Sequence, residues 1–581
     1  GYGGVFPVDM VAVEESFAAT TTRAASGEDS GDGFSTTNVQ VVGIDEPDLV
    51  KTDGDRIFVV AQGIIHWIDA SGDKPRIVAT HELGGWGQQL FLSGDTLLVT
   101  TSGGGTIEPF ADIAYPGHSE RTVLTEIDVS EPGKMTVVRT LMLDGTVLSS
   151  RLIGDTARIV LRSGPVGFDW SYPEGSGIKA EREATERNKE LIRRSTIENW
   201  VPWYVLEVRA AGTSSDGPLL SCDRVGYPDQ FAGLTMLSVM TIDLSDGLAP
   251  NGVGLLADGE TVYASAESLY VATSPWRWWP EARSGDGLTT HIHRFDISGE
   301  DQASYVASGQ VEGILHSQFA LDEHEGILRV VVTDGADWRR GSEVPETSVV
   351  ALDTVRDRLV EVGSVGGLGK NERVYSVRFI EDKAYVVTFR QVDPLYVVDM
   401  SDPTNPTVEG ELKINGYSSY LHPIGEDILL GVGQDATEQG RVLGTQVSVF
   451  DVSDPENPIR MSRLTFEDAY SEAEWDHHAF LWWPADEIVI LPIQRWSWDE
   501  RNETEKHYAG AVVVKATSQR VEKLGEIEHP SQSDPECEEC WWWTEPIMRS
   551  VIIGDSLFTI SQTGVMVSDL DTLEQEEWLR F

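Results

Sequence analysis

One short unit recurs along this chain: an apolar residue, an aspartate, a second apolar residue, then serine or threonine. It stands at Ile68-Asp69-Ala70-Ser71, Ile127-Asp128-Val129-Ser130, Ile242-Asp243-Leu244-Ser245 and Phe295-Asp296-Ile297-Ser298. Leu352-Asp353-Thr354, Val398-Asp399-Met400-Ser401 and Phe450-Asp451-Val452-Ser453 continue the series, and Ser568-Asp569-Leu570-Asp571 is a looser copy. Aspartate starts tight turns by accepting from nearby backbone donors, and two copies run on into Asp402-Pro403 and Asp454-Pro455, where proline presets φ. Each copy therefore reads as a strand, a turn and a following strand.

A second signal precedes most copies: an apolar strand, a turn near Gly-Asp, and another apolar strand. Gly54-Asp55, Gly94-Asp95, Gly154-Asp155 and Gly554-Asp555 mark it, with Glu381-Asp382, Glu426-Asp427 and Ala485-Asp486 in equivalent places. Runs such as Ala384-Tyr385-Val386-Val387-Thr388-Phe389 are β-branched and aromatic, which fits strands. Two hairpins per unit, repeating every ~45–65 residues, specify an all-β chain: a β-propeller of about nine four-stranded blades. One of the nine units, around Val512-Val513-Val514, lacks the aspartate, and eight blades result if a terminal pair merges. A two-sheet sandwich has no place for so many repeats.

The longest interval, between Asp128 and Asp243, holds a stretch rich in Glu, Arg, Lys and Ala, which predicts a helical insertion at about 177–200 in the third blade. Residues 1–36 carry a Gly/Ser/Asp-rich run and read as a flexible lead-in after a removed export signal, leaving 37–581 as the propeller. Lys and Arg number 44 against 95 Asp and Glu, a formal charge of -51. Such a surface repels phosphate backbones and anionic lipid, so nucleic acid is excluded as a partner. No run of ~18 apolar residues is present, so no helix spans a membrane.

In a propeller the first strand of each blade lines the central channel. Aligned on the Gly-Asp turn, the third position before it is Lys51, Arg151, Arg378 and His422, a level of cations suited to a carboxylate, phosphate or similar anion. Pairing of each with a neighbouring acidic turn is the plainer alternative. Histidines His293, His422, His477 and His478 fall at or near blade strands and are candidate ligands for copper, zinc or iron at the hub. On a strand, the adjacent His477 and His478 would face opposite ways. Asp45, Asp48, Asp53 and Asp55 crowd one segment and are candidate calcium ligands, although their spacing departs from the EF-hand pattern. Calcium is thus the first cofactor candidate and a transition metal the second; no motif requires either.

The loop 535–545 contains Cys537-Glu538-Glu539-Cys540 followed by Trp541-Trp542-Trp543. In an exported chain Cys537 and Cys540 are expected to form a disulfide, leaving Cys222 a buried free thiol. The three tryptophans suit a glycan or peptide platform as well as they suit packing.

The stretch Thr37-Asn38-Val39-Gln40-Val41-Val42-Gly43-Ile44-Asp45-Glu46-Pro47-Asp48-Leu49-Val50-Lys51-Thr52-Asp53-Gly54 resembles the secreted bacterial and archaeal proteins with a C-terminal β-propeller distantly related to WD repeats. His293-Arg294-Phe295, Tyr420-Leu421-His422-Pro423 and Asp476-His477-His478-Ala479-Phe480 extend the resemblance, which runs from about Thr37 onward; the loop Pro535 to Trp543 departs from it. The resemblance implies the fold and export from the cell, and transfers no mechanism.

No Gly-x-Ser-x-Gly elbow and no phosphate-cradling loop is present. The preferred expectation is an extracellular or cell-surface binding module for a small anion, a glycan or a protein, with its ligand at the channel mouth or on the Trp541–Trp543 loop. The alternative is a metal-dependent enzyme with histidine ligands at the hub.

Overall fold

The computed structural model describes residues 33–72, 74–103, 120–175, 177–273, 288–299, 302–334, 345–389, 393–499, 504–530 and 545–581. Eight hydrogen-bonded sheets form, and one of them is two four-stranded blades joined at their outer strands by a single bridge between Ser308 and Arg358. The described residues therefore build nine blades, over 50–82, 86–144, 146–256, 261–312, 321–368, 373–414, 417–467, 469–527 and 547–580. They are numbered 1 to 9 below. The four main strands of a blade pair antiparallel in sequence order, a meander whose first strand faces the channel; in blade 3 a two-residue strand, Val225–Gly226, adds to the outer edge in parallel.

The core is divided among the joints between blades. Phe58, Val60 and Trp67 of blade 1 pack on Leu90, Leu97 and Ile127 of blade 2. Similar apolar clusters occupy every successive joint around the ring. The last closes it: Ile57, Val59 and Ile68 of blade 1 meet Phe558, Ile560 and Val567 of blade 9. Blades 1 and 9 each draw all their strands from their own stretch of chain, so closure rests on side-chain packing rather than on an exchanged strand. Each buried Val, Leu, Ile or Phe contributes about 1.5–3 kcal/mol.

The recurring aspartate ends the third strand and caps the turn after it. Asp69 accepts from Ser71, Asp243 from Ser245, Asp296 from Ser298 and Asp451 from Ser453, at backbone N–H distances of 3.2, 2.8, 2.9 and 3.0 Å. The serine hydroxyls donate to the same carboxylates, and their bonds, with those of the amides, hold all four carboxyls below their ordinary range. The first hairpin of blades 2, 3 and 9 turns through Gly94, Gly154 and Gly554 at φ 52, 57 and 56°, a left-handed conformation that glycine adopts without cost.

The expected helix is α1, Ile178–Arg194, set between the second and third strands of blade 3. Ala184 is its buried residue, and Asn188 ties it to the backbone of Ser171 in both directions. The same insertion continues into the strands Trp203–Val208 and Thr213–Pro218, which extend blade 2 beyond its fourth strand. Two neighbouring blades are thereby laced together, and the outer edge of blade 2 is covered.

Two expectations are corrected. Ordered pairing begins inside the supposed flexible lead-in: Phe34 bridges Ile553, and the Ser35 amide donates to the Ile552 carbonyl at 2.8 Å. The open edge of blade 9's first strand satisfies those backbone groups. Cys222 is exposed rather than buried, because it opens a surface turn, Cys222–Arg224.

Candidate functional site

Residues 34–48 cross the hub, bonded to blades on several sides of it. Backbone bridges join Phe34 to blade 9 at Ile553, Asp45 to blade 3 at Leu152, and Asp48 to blade 2 at Leu90. Side chains reach the opposite wall. The Asn38 amide donates to the Tyr420 hydroxyl at 2.9 Å and to the His477 carbonyl at 2.7 Å, and Gln40 donates to the Gln318 and Leu321 carbonyls. Buried polar backbone groups need partners, and at Ser35, Asp45 and Asp48 the first strands of blades 9, 3 and 2 supply them.

The four cationic positions do lie on first strands and are all buried. Two of them are met by the channel segment's own carboxylates. Lys51 donates to Asp45 at 2.5 Å, to Thr37 at 2.8 Å and to the Glu46 carbonyl at 2.6 Å. Arg151 donates to Gln318 at 3.1 Å and sits 3.8 Å from Glu46. Arg378 lies over the Phe319 ring, 4% exposed, and its Nε and Nη1 have no partner among the described residues. His422 pairs through Nδ1 with the Tyr420 hydroxyl at 3.1 Å and stacks near Phe480. The anion that the cation level suggested is, at Lys51 and Arg151, supplied by Asp45 and Glu46.

Blade 8 breaks its first strand to build the centre. Between Ala469–Tyr470 and Leu481–Trp483 it makes two tight helical turns, Glu472–Glu474 and His477–Ala479. Ser471 and Glu474 cap the first reciprocally, and Asp476 caps the second by accepting from the His478 amide. That turn swings both histidines inward. His477 Nε2 and His478 Nε2 lie 3.0 and 3.2 Å from Glu46 Oε2. Opposite faces were expected from strand periodicity; the turn replaces that geometry. His422 and His293 do not join the group. His293 is inside blade 4, bonded to Ser308, because its strand Thr289–Asp296 is third in the blade and remote from the hub.

Charge at the centre is tightly matched. Arg549 donates to Asp48 at 2.8 Å and to Asp476 at 2.6 Å. Burial opposes the ionised form of Glu46, yet Arg151 and the two histidines hold its carboxyl well below the usual range. Burial and the charge of His478 push His477 down. Burial would lower His478 too, but its bonds to Asp476 and Glu46 and the charge of Asp48 raise it to about 9. Desolvation raises the Asp45 carboxyl in spite of Lys51.

Two cavities flank the channel segment. The smaller, about 370 Å³, adjoins Ser35, Asp45 and Lys51. The larger, about 1150 Å³, has His477, His478, Asp476 and Arg549 in its lining. Trp86 of blade 2 and Trp475 of blade 8 border it while 63% and 61% exposed. Gln62, Gln88, Gln318 and Gln562 line the same space.

The calcium set is dispersed. Asp45 is taken by Lys51, Asp48 by Arg549 and Asp53 by Arg56, while Asp55 is exposed on the turn. Among the described residues these four carboxylates form no common group. Cys537, Cys540 and Trp541–Trp543 fall outside the described residues. Residues that sequence reasoning missed are Glu46, Asp476, Arg549, Gln318, Trp86 and Trp475. Arg549 had a signal: it lies two residues before the aligned position, on the same face of the strand.

Comparison with known proteins agrees with the architecture. An uncharacterized protein of Methanocaldococcus jannaschii is 28% identical over 578 residues, covering 94% of this chain and 82% of the relative. An uncharacterized protein of Archaeoglobus fulgidus is 39% identical over 217 residues, 37% of this chain and 32% of that one. The crystal structure of Saccharomyces cerevisiae Sqt1 matches at a TM-score of 0.32 and 12% identity, covering 61% of this chain and 85% of that one, a likeness too loose to carry an argument. A family model described as a β-propeller domain matches residues 34–573, and the chain belongs to that family.

Proposed function

We propose that this propeller is a binding module that acts outside the cell and holds a neutral glycan in the larger mouth cavity. The carrying observation is the pair of exposed tryptophans, Trp86 and Trp475, bordering one cavity rich in carboxamides. Flat aromatic faces stack on sugar rings, and carboxamides offer both donors and acceptors to hydroxyls. An anionic ligand is disfavoured: Arg549, Lys51 and Arg151 already face carboxylates, and the chain carries a formal charge of -51. Placement outside the cell is supported by the resemblance to secreted propellers.

Calorimetric titration with cellohexaose, chitohexaose, mannohexaose and a sulfated hexasaccharide tests this. One neutral oligosaccharide is expected to bind, and Trp86→Ala and Trp475→Ala should each weaken it about tenfold or more, a loss of about 1.4 kcal/mol, with unchanged melting. Binding of the sulfated sugar alone, binding indifferent to both substitutions, or no binding at all overturns the reading.

A further inference from the structure

We propose that Glu46, His477 and His478 form a site for one divalent first-row transition ion of the zinc or ferrous class. The two imidazoles and the carboxylate converge from places more than 400 positions apart, and their donor atoms all lie within 4.8 Å of one another. The Nε2–Oε2 separations are 3.0 and 3.2 Å. Metal bonds of about 2.0–2.1 Å set neighbouring ligand atoms roughly 3.0–3.4 Å apart, so each imidazole already stands at ligand spacing from the carboxylate.

The surroundings orient each donor. Asp476 Oδ1 faces His478 Nδ1 at 3.4 Å and is itself anchored by Arg549, an outer carboxylate aimed at the far nitrogen of a ligating ring. Phe319 packs edge-on against the His477 ring at 5.0 Å. The Gln40 backbone amide donates to Glu46 Oε1 at 3.2 Å and Gln318 donates to both carboxylate oxygens at 3.2 Å, which fixes the plane of the carboxylate with Oε2 facing the histidines. Hydrogen bonds alone would join the three groups. They do not explain why two imidazoles that both line the larger cavity converge on one buried carboxylate oxygen, with space beside the rings for water or ligand to complete the coordination. Two nitrogens and one oxygen select zinc, iron or cobalt over calcium.

The inference does not rest on the glycan reading, since metal can bind whether or not sugar does. The test uses the full chain carrying Cys222→Ser, Cys537→Ser and Cys540→Ser, so that thiolates cannot supply the site. After dialysis against EDTA it is titrated with Co²⁺ and followed by visible absorption and calorimetry. One Co²⁺ per chain is expected, with His477→Ala, His478→Ala and Glu46→Gln each at least about 100-fold weaker. Should those variants fail to fold, the parent chain still decides: stoichiometric Co²⁺ should raise its melting temperature by several degrees. Failure of the parent to bind stoichiometrically, or binding unaltered in folded His477→Ala and His478→Ala, overturns the proposal.

Discussion

Arg549→Ala is expected to destabilise the chain by about 3–5 kcal/mol, measured from the shift of its urea unfolding curve. The guanidinium is buried between Asp48 of the channel segment and Asp476 of blade 8. Burial disfavours its charge, but the two carboxylates hold it protonated above even the ordinary arginine range. Removing it leaves the Asp48 and Asp476 carboxylates to share His478 as their neighbouring cation, and an under-compensated buried charge costs far more than a surface ion pair is worth. Arg549→Lys should recover only part of the loss, because an ammonium cannot match the guanidinium's fork across both partners. A change below about 1 kcal/mol would mean that the hub charges are solvated and the channel segment lies elsewhere.

Phe558→Ala should cost about 3–5 kcal/mol by the same measurement. Phe558 is buried in the cluster that joins blade 9 to Val50, Ile57, Val59 and Ile68 of blade 1. With no exchanged strand to hold the ends together, a cavity here weakens the one joint that makes the array a ring. Leu524→Ala, on an exposed outer strand of blade 8, is the matched control and should stay within about 0.5 kcal/mol. Equal losses at both positions would argue against closure by this interface.

The blades were legible because their signals are local. An aspartate that caps a turn two residues on, and a Gly-Asp hairpin, act within a few positions and repeat with each unit. Alignment on the Gly-Asp turn put Lys51, Arg151, Arg378 and His422 on first strands, where the structure has them. What sequence could not show is what those cations meet, since Asp45 and Glu46 reach them only when the channel segment threads the finished ring. His477 and His478 were misjudged for a local reason: Asp476 and Ser471 convert an expected strand into turns. Arg549 was missed because it stands one pleat, two residues, before the aligned position, on the same face of blade 9's first strand. Trp86 and Trp475 are exposed by how blades 2 and 8 meet the cavity, which no pattern along the chain records.

The most direct measurement of the hub crossing is a double-mutant cycle between Asp48 and Arg549, residues 501 positions apart that share a hydrogen bond of 2.8 Å. Asp48→Ala, Arg549→Ala and the double variant are compared by urea unfolding. If residues 34–48 thread the hub, the double variant should be less destabilised than the sum of the single ones by about 1.5–3 kcal/mol. Additivity within about 0.5 kcal/mol would contradict it, since independent sites add and contacting ones do not.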